Sequence, residues 1–158
     1  MNKKWLCISL VILLFLTAFI LYNAGQSSES SHEDTVFVED VLLQGAQIVP
    51  PHLRHYTVRK AAHLFEYALL GAMAVCVLNQ LKKRWGAAVY GFGLFYVLAV
   101  GVLDEYVQSF TNRSSLLSDV LLDFCGALIG MAIAMGVLAL VGTWLERVRT
   151  RNMQKAEG

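Results

Sequence analysis

Arg59, His63 and Glu66 stand at i, i+4 and i+7, the spacing of one helix face, and Lys60 adjoins the first of them. At about 1.5 Å rise per residue, His63 lies about 6 Å and Glu66 about 10 Å further along the axis than Arg59. Asp104 and Gln108 repeat the i, i+4 spacing, with Glu105 three residues before Gln108, and Asp119 and Asp123 repeat it again. Arg113 lies between these last two groups in the chain. Guanidinium and ammonium groups bind phosphate or carboxylate. An imidazole moves a proton near neutral pH when a carboxylate orients it. Clustered carboxylates beside one histidine share a proton or a divalent cation. The sequence holds no Ser-His-Asp order, no Cys–His pair and no HExxH, so no catalytic residue is assigned. With a single histidine in the cluster, neither a metal site nor a cofactor is expected.

These groups sit in unusual company. Trp5 to Tyr22 is 18 residues without a charge, preceded by Lys3 and Lys4. That is just enough to cross a hydrocarbon core of about 30 Å. An uncleaved anchor helix over residues 1–22 is expected. Cleavage as a signal peptide is the alternative, opposed by the poor cleavage site at Leu21–Gly25 and by the length of the apolar run. A Ser-rich, acidic linker follows from Gln26 to Asp34. Val36 to Val49 then carries apolar residues on one helical face, too short and polar to span, and reads as an interfacial helix ended by Pro50-Pro51. Further spans are expected at Val58–Leu78, Trp85–Leu103 and Leu116–Trp144. The resulting fold class is all-α: a polytopic membrane protein with four transmembrane helices in a compact bundle. Its parts are an anchor helix (1–22), an extracytoplasmic segment (23–57), a three-helix membrane core (58–144) and a basic tail (145–158).

Composition agrees. Apolar residues make up 56% of the 158 and charged residues only 16%, against about 25% charged in soluble domains. A disordered chain and a basic nucleic-acid-binding domain are excluded, so nucleic acid is not among the expected partners. Placing the N-terminus in the cytoplasm leaves Arg54, Arg59, Lys60 and Arg113 outside and the other Lys and Arg of the 13 inside, which satisfies the positive-inside rule. Both termini are then cytoplasmic. Trp5, Trp85 and Trp144 fall at the cytoplasmic ends of three spans. Gly126 and Gly130 form a GxxxG pair suited to close helix packing. Cys7, Cys76 and Cys125 read as small apolar packing residues.

Charges within spans are costly, so the polar stripes at the outer ends of three helices must face one another. Arg59, Lys60 and Arg113 oppose Glu66, Asp104, Glu105, Asp119 and Asp123, a formal excess of two negative charges with His63 neutral. A shared proton or a divalent cation would absorb it. Asp123→Asn is then tolerated if the Asp119–Asp123 pair shares a proton, and damaging if it holds an ion. Two readings follow for the whole set: a salt-bridge network that fixes helix register, or an outward-facing polar pocket for a ligand.

The stretches Arg59-Lys60-Ala61-Ala62-His63-Leu64-Phe65-Glu66-Tyr67, Asp104-Glu105-Tyr106-Val107-Gln108, Arg113, and Asp119-Val120-Leu121-Leu122-Asp123-Phe124-Cys125-Gly126 together resemble the VanZ-like family over about residues 37 to 140. These are small bacterial integral membrane proteins linked to glycopeptide, especially teicoplanin, resistance. The resemblance implies a bacterial cytoplasmic membrane location and places the family's motif positions at Arg59, Lys60, His63, Glu66, Asp104, Glu105, Gln108, Arg113, Asp119 and Gly126. The chain departs from the family pattern at Val107, where histidine is common, at Thr111-Asn112, where Pro-Gly is common, and at Asp123, where asparagine is common. It brings no settled reaction.

Three functions are compatible with this reading. One is an envelope protein whose pocket binds a lipid headgroup or lipid-linked cell-wall precursor, with membrane lipids as partners and Arg59, Lys60 and Arg113 as anion contacts. The second is an intramembrane enzyme acting on a lipid-linked phosphate or glycan, with His63 as general acid or base oriented by Glu66 or Asp119. The third, a channel or transporter, fits least, because the charges gather at one end above clean apolar helices. Oligomeric state is not legible.

Overall fold

The computed structural model describes residues 3–26, 51–111 and 116–157. Among these residues there are four helices: α1 (Lys3–Ala24), α2 (Pro51–Trp85), α3 (Val89–Gln108) and α4 (Leu117–Glu157). No strand occurs among the described residues. All four are long and apolar enough to cross a membrane, and the chain is a multi-pass membrane protein. The segment expected to form an interfacial helix, Val36–Val49, lies outside the described residues, as does Arg113.

Three helix ends lie beyond the limits of the expected spans. α2 starts at Pro51, ahead of its membrane-crossing stretch from Thr57, because proline suits a helix's first position, where its missing N–H has no partner to lose. It also runs on to Trp85, which the sequence assigned to the next span. Gly86 ends it with φ of 73°, a left-handed conformation that favours glycine, and its N–H donates to the Lys82 carbonyl at 2.9 Å. The fourth helix does not stop at Trp144. Its 41 residues continue through the basic tail, for a length of about 60 Å, twice a hydrocarbon core.

The helices alternate up and down. Gln80 Nε2, late in α2, donates to Ser9 Oγ, early in α1, at 3.1 Å. At the other end Asn23 Nδ2 donates to Glu66 Oε1 at 3.4 Å. Thr17 Oγ1 and Tyr96 OH share a hydrogen bond of 2.5 Å that ties α1 to α3. In a lipid setting such bonds substitute for the hydrophobic drive that water would supply. α2 is central: it touches α1, α3 and α4, and most extensively α4.

The α2–α4 contact is a seam of small residues. A Cβ on Gly130 would strike the Ala68 carbonyl, one on Gly71 the Ala127 carbonyl, and one on Gly126 would lie 2.6 Å from the Leu64 carbonyl oxygen. Only residues without a side chain let the two backbones approach this closely. Tyr67, Leu70, Val75, Val97, Val100, Ala127 and Met131 fill the core around the seam. The outer surface carries large apolar side chains such as Phe92, Phe95 and Leu140, the last two 72% and 71% exposed. In water such a surface would drive aggregation, whereas lipid tails solvate it.

Candidate functional site

The up-and-down order brings the start of α2, the end of α3 and the start of α4 to the same end of the bundle. Arg59, Lys60, His63, Glu105, Gln108, Asp119, Leu122 and Asp123 line one small cleft there. Helix periodicity puts Arg59 and His63 on one face of α2, Glu105 and Gln108 on one face of α3, and Asp119 and Asp123 on one face of α4. The seam just below presses these faces together.

Lys60 Nζ forms an ion pair with an Asp119 oxygen, and Ser118 Oγ donates to the same oxygen at 3.3 Å. Arg59 Nη2 donates to Gln108 Oε1 across a long 3.5 Å contact with a neutral group. His63 Nδ1 sits 3.7 Å from Asp104 Oδ2 and 3.8 Å from Asp123 Oδ1. Asp104 has no exposed surface, and Asp123 and Gln108 are each 1% exposed. Glu105 Oε2 accepts the Leu116 backbone N–H at 3.1 Å, so this carboxylate meets the positive end of α4 just ahead of its first turn.

The second histidine partner differs from the sequence expectation. Glu66 and Asp119 were the groups expected to orient His63. Glu66 instead bonds Asn23 of α1, and Asp119 bonds Lys60. Asp104 and Asp123 take the place beside the imidazole. The reason lies in helix phase: residue 123 is one turn deeper than 119 on α4, level with His63, while Glu66 turns toward α1. Asp104 is buried behind the cleft rather than lining it.

Tyr67 was not singled out by the sequence. It is fully buried, and its hydroxyl donates to Asp104 Oδ2 at 3.2 Å. Its i+4 relation to His63 was the available signal, but a tyrosine in a membrane helix reads first as an interfacial anchor. Asn23 carries no signal of its own in the sequence, because an apolar N-terminal run reads as an anchor separate from the core.

Two buried polar atoms in the cleft lining, Asp123 Oδ2 and Gln108 Nε2, have no hydrogen-bond partner among the described residues. Leaving such groups bare costs about 1–3 kcal/mol each, and more for a charged one. Four carboxylates, Asp104, Glu105, Asp119 and Asp123, lie in or just behind the cleft, with Arg59, Lys60 and His63 as the described counter-groups. The space enclosed is about 10 Å³, enough for about one water and too small to enclose an organic group. Chemically the arrangement can hold an anion at its cationic rim, move a proton at the imidazole, or coordinate a small cation.

No curated protein and no solved structure gives a significant match to this chain. A family model described as VanZ/LLP1 matches residues 9–141. The match begins within α1, well before residue 37 where the motif resemblance starts, and it takes in α2, α3 and every polar residue of the cleft. Covering most of a chain with four membrane-spanning helices, it places the protein: the chain belongs to the VanZ/LLP1 family.

Proposed function

We propose that the protein lies in the bacterial cytoplasmic membrane with both termini in the cytoplasm. Its cleft then faces outward and binds the anionic headgroup of a lipid or lipid-linked cell-wall precursor at the bilayer surface. Occupying or masking such a precursor would reduce the access of lipophilic glycopeptides such as teicoplanin to their membrane-anchored target. The observation that carries this reading is Arg59. A structural salt-bridge network would pair its guanidinium with a carboxylate, yet among the described residues its hydrogen bond goes to the neutral Gln108 at 3.5 Å. A guanidinium at the rim of a polar cleft, held only by a long neutral contact, is suited to a phosphate. The enclosed space is small, so the headgroup would rest on the rim rather than enter.

The test is capture of lipids with the purified protein from a membrane extract, read by mass spectrometry. The expected result is a phosphorylated lipid enriched with the wild type and lost with Arg59→Ala. Identical lipid profiles would return the cleft to a register-setting role.

A second reading is favoured by one observation, the place of His63 Nδ1 between two buried carboxylates. An imidazole so flanked is suited to general acid or base chemistry on a lipid-linked phosphate or glycan. It requires that the captured lipid be converted to a product on incubation, and that His63→Ala capture the lipid without converting it.

A further inference from the structure

The floor of the cleft and the layer just behind it have a geometry that anion binding does not explain. His63 Nδ1, an Asp104 oxygen and an Asp123 oxygen come from three different helices and all lie within 4.8 Å of one another. The imidazole-to-carboxylate separations of 3.7 and 3.8 Å are too long for hydrogen bonds. They are close to the spacing of neighbouring donors on one ion. With metal–ligand bonds of about 2.1 Å and tetrahedral angles, such donors stand about 3.4 Å apart. The two imidazole distances exceed this by a few tenths of an ångström, and the two carboxylate oxygens stand no more than 4.8 Å apart, so side-chain movements of up to about 1 Å bring all three donors onto one ion.

A separate observation points to a ligand. Asp123 is 1% exposed and lines the cleft, and its Oδ2 has no hydrogen-bond partner among the described residues. A buried carboxylate oxygen without a donor is destabilising, and a cation removes that cost. Among the described residues the nearby Lys and Arg side chains are engaged elsewhere: Lys60 with Asp119 and Arg59 with Gln108. The enclosed space, about 10 Å³, is the size of about one water, the usual companion of an ion with three protein ligands. Gln108 Nε2, also without a partner there, is a donor that such a water would accept. The Tyr67 hydroxyl donates to Asp104 Oδ2, the kind of outer contact that orients a metal-binding carboxylate.

We propose that His63, Asp104 and Asp123 bind a divalent transition-metal cation of the Zn²⁺ or Mn²⁺ type. One imidazole with two carboxylates suits these ions better than Mg²⁺ or Ca²⁺, which take oxygen ligands alone. Asp123, the position at which this chain departs from the family's asparagine, supplies the second negative charge that a dication needs. The site goes beyond the headgroup reading and does not depend on it, since the ion binds with no lipid present.

The full chain, purified in detergent and stripped with chelator, is reloaded with Zn²⁺ or Mn²⁺ and desalted, and its metal content is measured. About one ion per chain is expected. Co²⁺, added as a spectroscopic probe, is expected to give visible ligand-field bands that include an imidazole contribution. Asp123→Asn is nearly isosteric and is expected to weaken binding at least about tenfold, and His63→Ala to alter the Co²⁺ bands. Glu66→Gln, whose carboxylate bonds Asn23, is expected to keep wild-type affinity. Wild-type protein that retains no stoichiometric ion overturns the proposal without reference to any variant. So does binding unchanged in Asp123→Asn and His63→Ala, and so does an equal loss in Glu66→Gln, which would mark diffuse attraction to acidic groups.

Discussion

The contact between α2 and α4 is built from opposite chemistry at its two levels. Toward the middle of the bundle, Gly71, Gly126 and Gly130 let the backbones meet the Ala127, Leu64 and Ala68 carbonyls with nothing between them. One turn above, His63 and Asp123 are held 3.8 Å apart, near enough to cooperate and too far to bond directly. The two levels are adjacent in sequence: Leu64 follows His63, and Gly126 is three residues beyond Asp123. The seam therefore sets the height and separation of the polar groups above it. Packing that tolerates no added atom fixes the geometry, while Asp123 Oδ2 and Gln108 Nε2 in the cleft have no hydrogen-bond partner among the described residues. Membrane helices lack a hydrophobic drive toward one another, so close small-residue packing is the available means of holding charged groups in one place.

The comparison breaks most readily in the seam. Gly130→Leu is expected to destabilise the protein by about 3 kcal/mol, because the new side chain meets the Ala68 backbone rather than a movable side-chain end. Gly136→Leu, where a Cβ meets nothing within 4 Å, is expected to stay within about 0.5 kcal/mol. Unfolding titrations of both variants in detergent check this. Equal stability would remove the seam as the element that holds the site.

Gly126→Ala is expected to act on both levels. Its Cβ would lie 2.6 Å from the Leu64 carbonyl oxygen, so the helices must part by a fraction of an ångström. A loss of about 1–2 kcal/mol is expected, together with weaker ligand capture. Lipid capture at full wild-type strength in a destabilised Gly126→Ala protein would uncouple the two levels.

Tyr67→Phe is expected to cost about 1–2 kcal/mol, since it keeps the packed ring and removes the donor to buried Asp104. Unfolding measurements on Tyr67→Phe alone and combined with Asp104→Asn give the coupling. A coupling of zero would show that the hydroxyl does not support the carboxylate. The smallest stability effect is expected at the rim. Lys60→Ala breaks a partly exposed ion pair with Asp119 and is expected to cost under about 1 kcal/mol, while reducing lipid capture markedly. Parallel loss of folded protein and capture would make that pair structural.

Much of the fold was legible in the residues themselves. Four apolar runs of about 20 residues can only be helices in lipid, since every backbone N–H and C=O must bond within its own segment. The polar positions at i, i+4 spacing were legible for the same reason: a charge inside a span has to face protein rather than lipid. The GxxxG pair at Gly126 and Gly130 was visible as a pattern, but its partners Leu64 and Ala68 were not, because a small residue does not say which backbone it meets. Helix ends were less legible. A long helix continues past the apolar stretch wherever nothing stops it, as α4 does beyond Trp144 and as α2 does through Trp85 to Gly86, past the break expected between Leu78 and Trp85.

The sequence by itself determined that this is a four-span, all-helical membrane protein with its charges gathered at one end of three helices. Periodicity and hydropathy are properties of a segment and need no neighbours. Only the tertiary structure decided which charges meet. His63 could have been served by Glu66, Asp119, Asp104 or Asp123, all within one turn of the right depth. The choice of Asp104 and Asp123 follows from the rotation of each helix about its axis, which the glycine seam and the Asn23–Glu66, Thr17–Tyr96 and Ser9–Gln80 contacts set. A rotation of one residue, about 100°, would exchange those partners, and nothing local to any one helix records it.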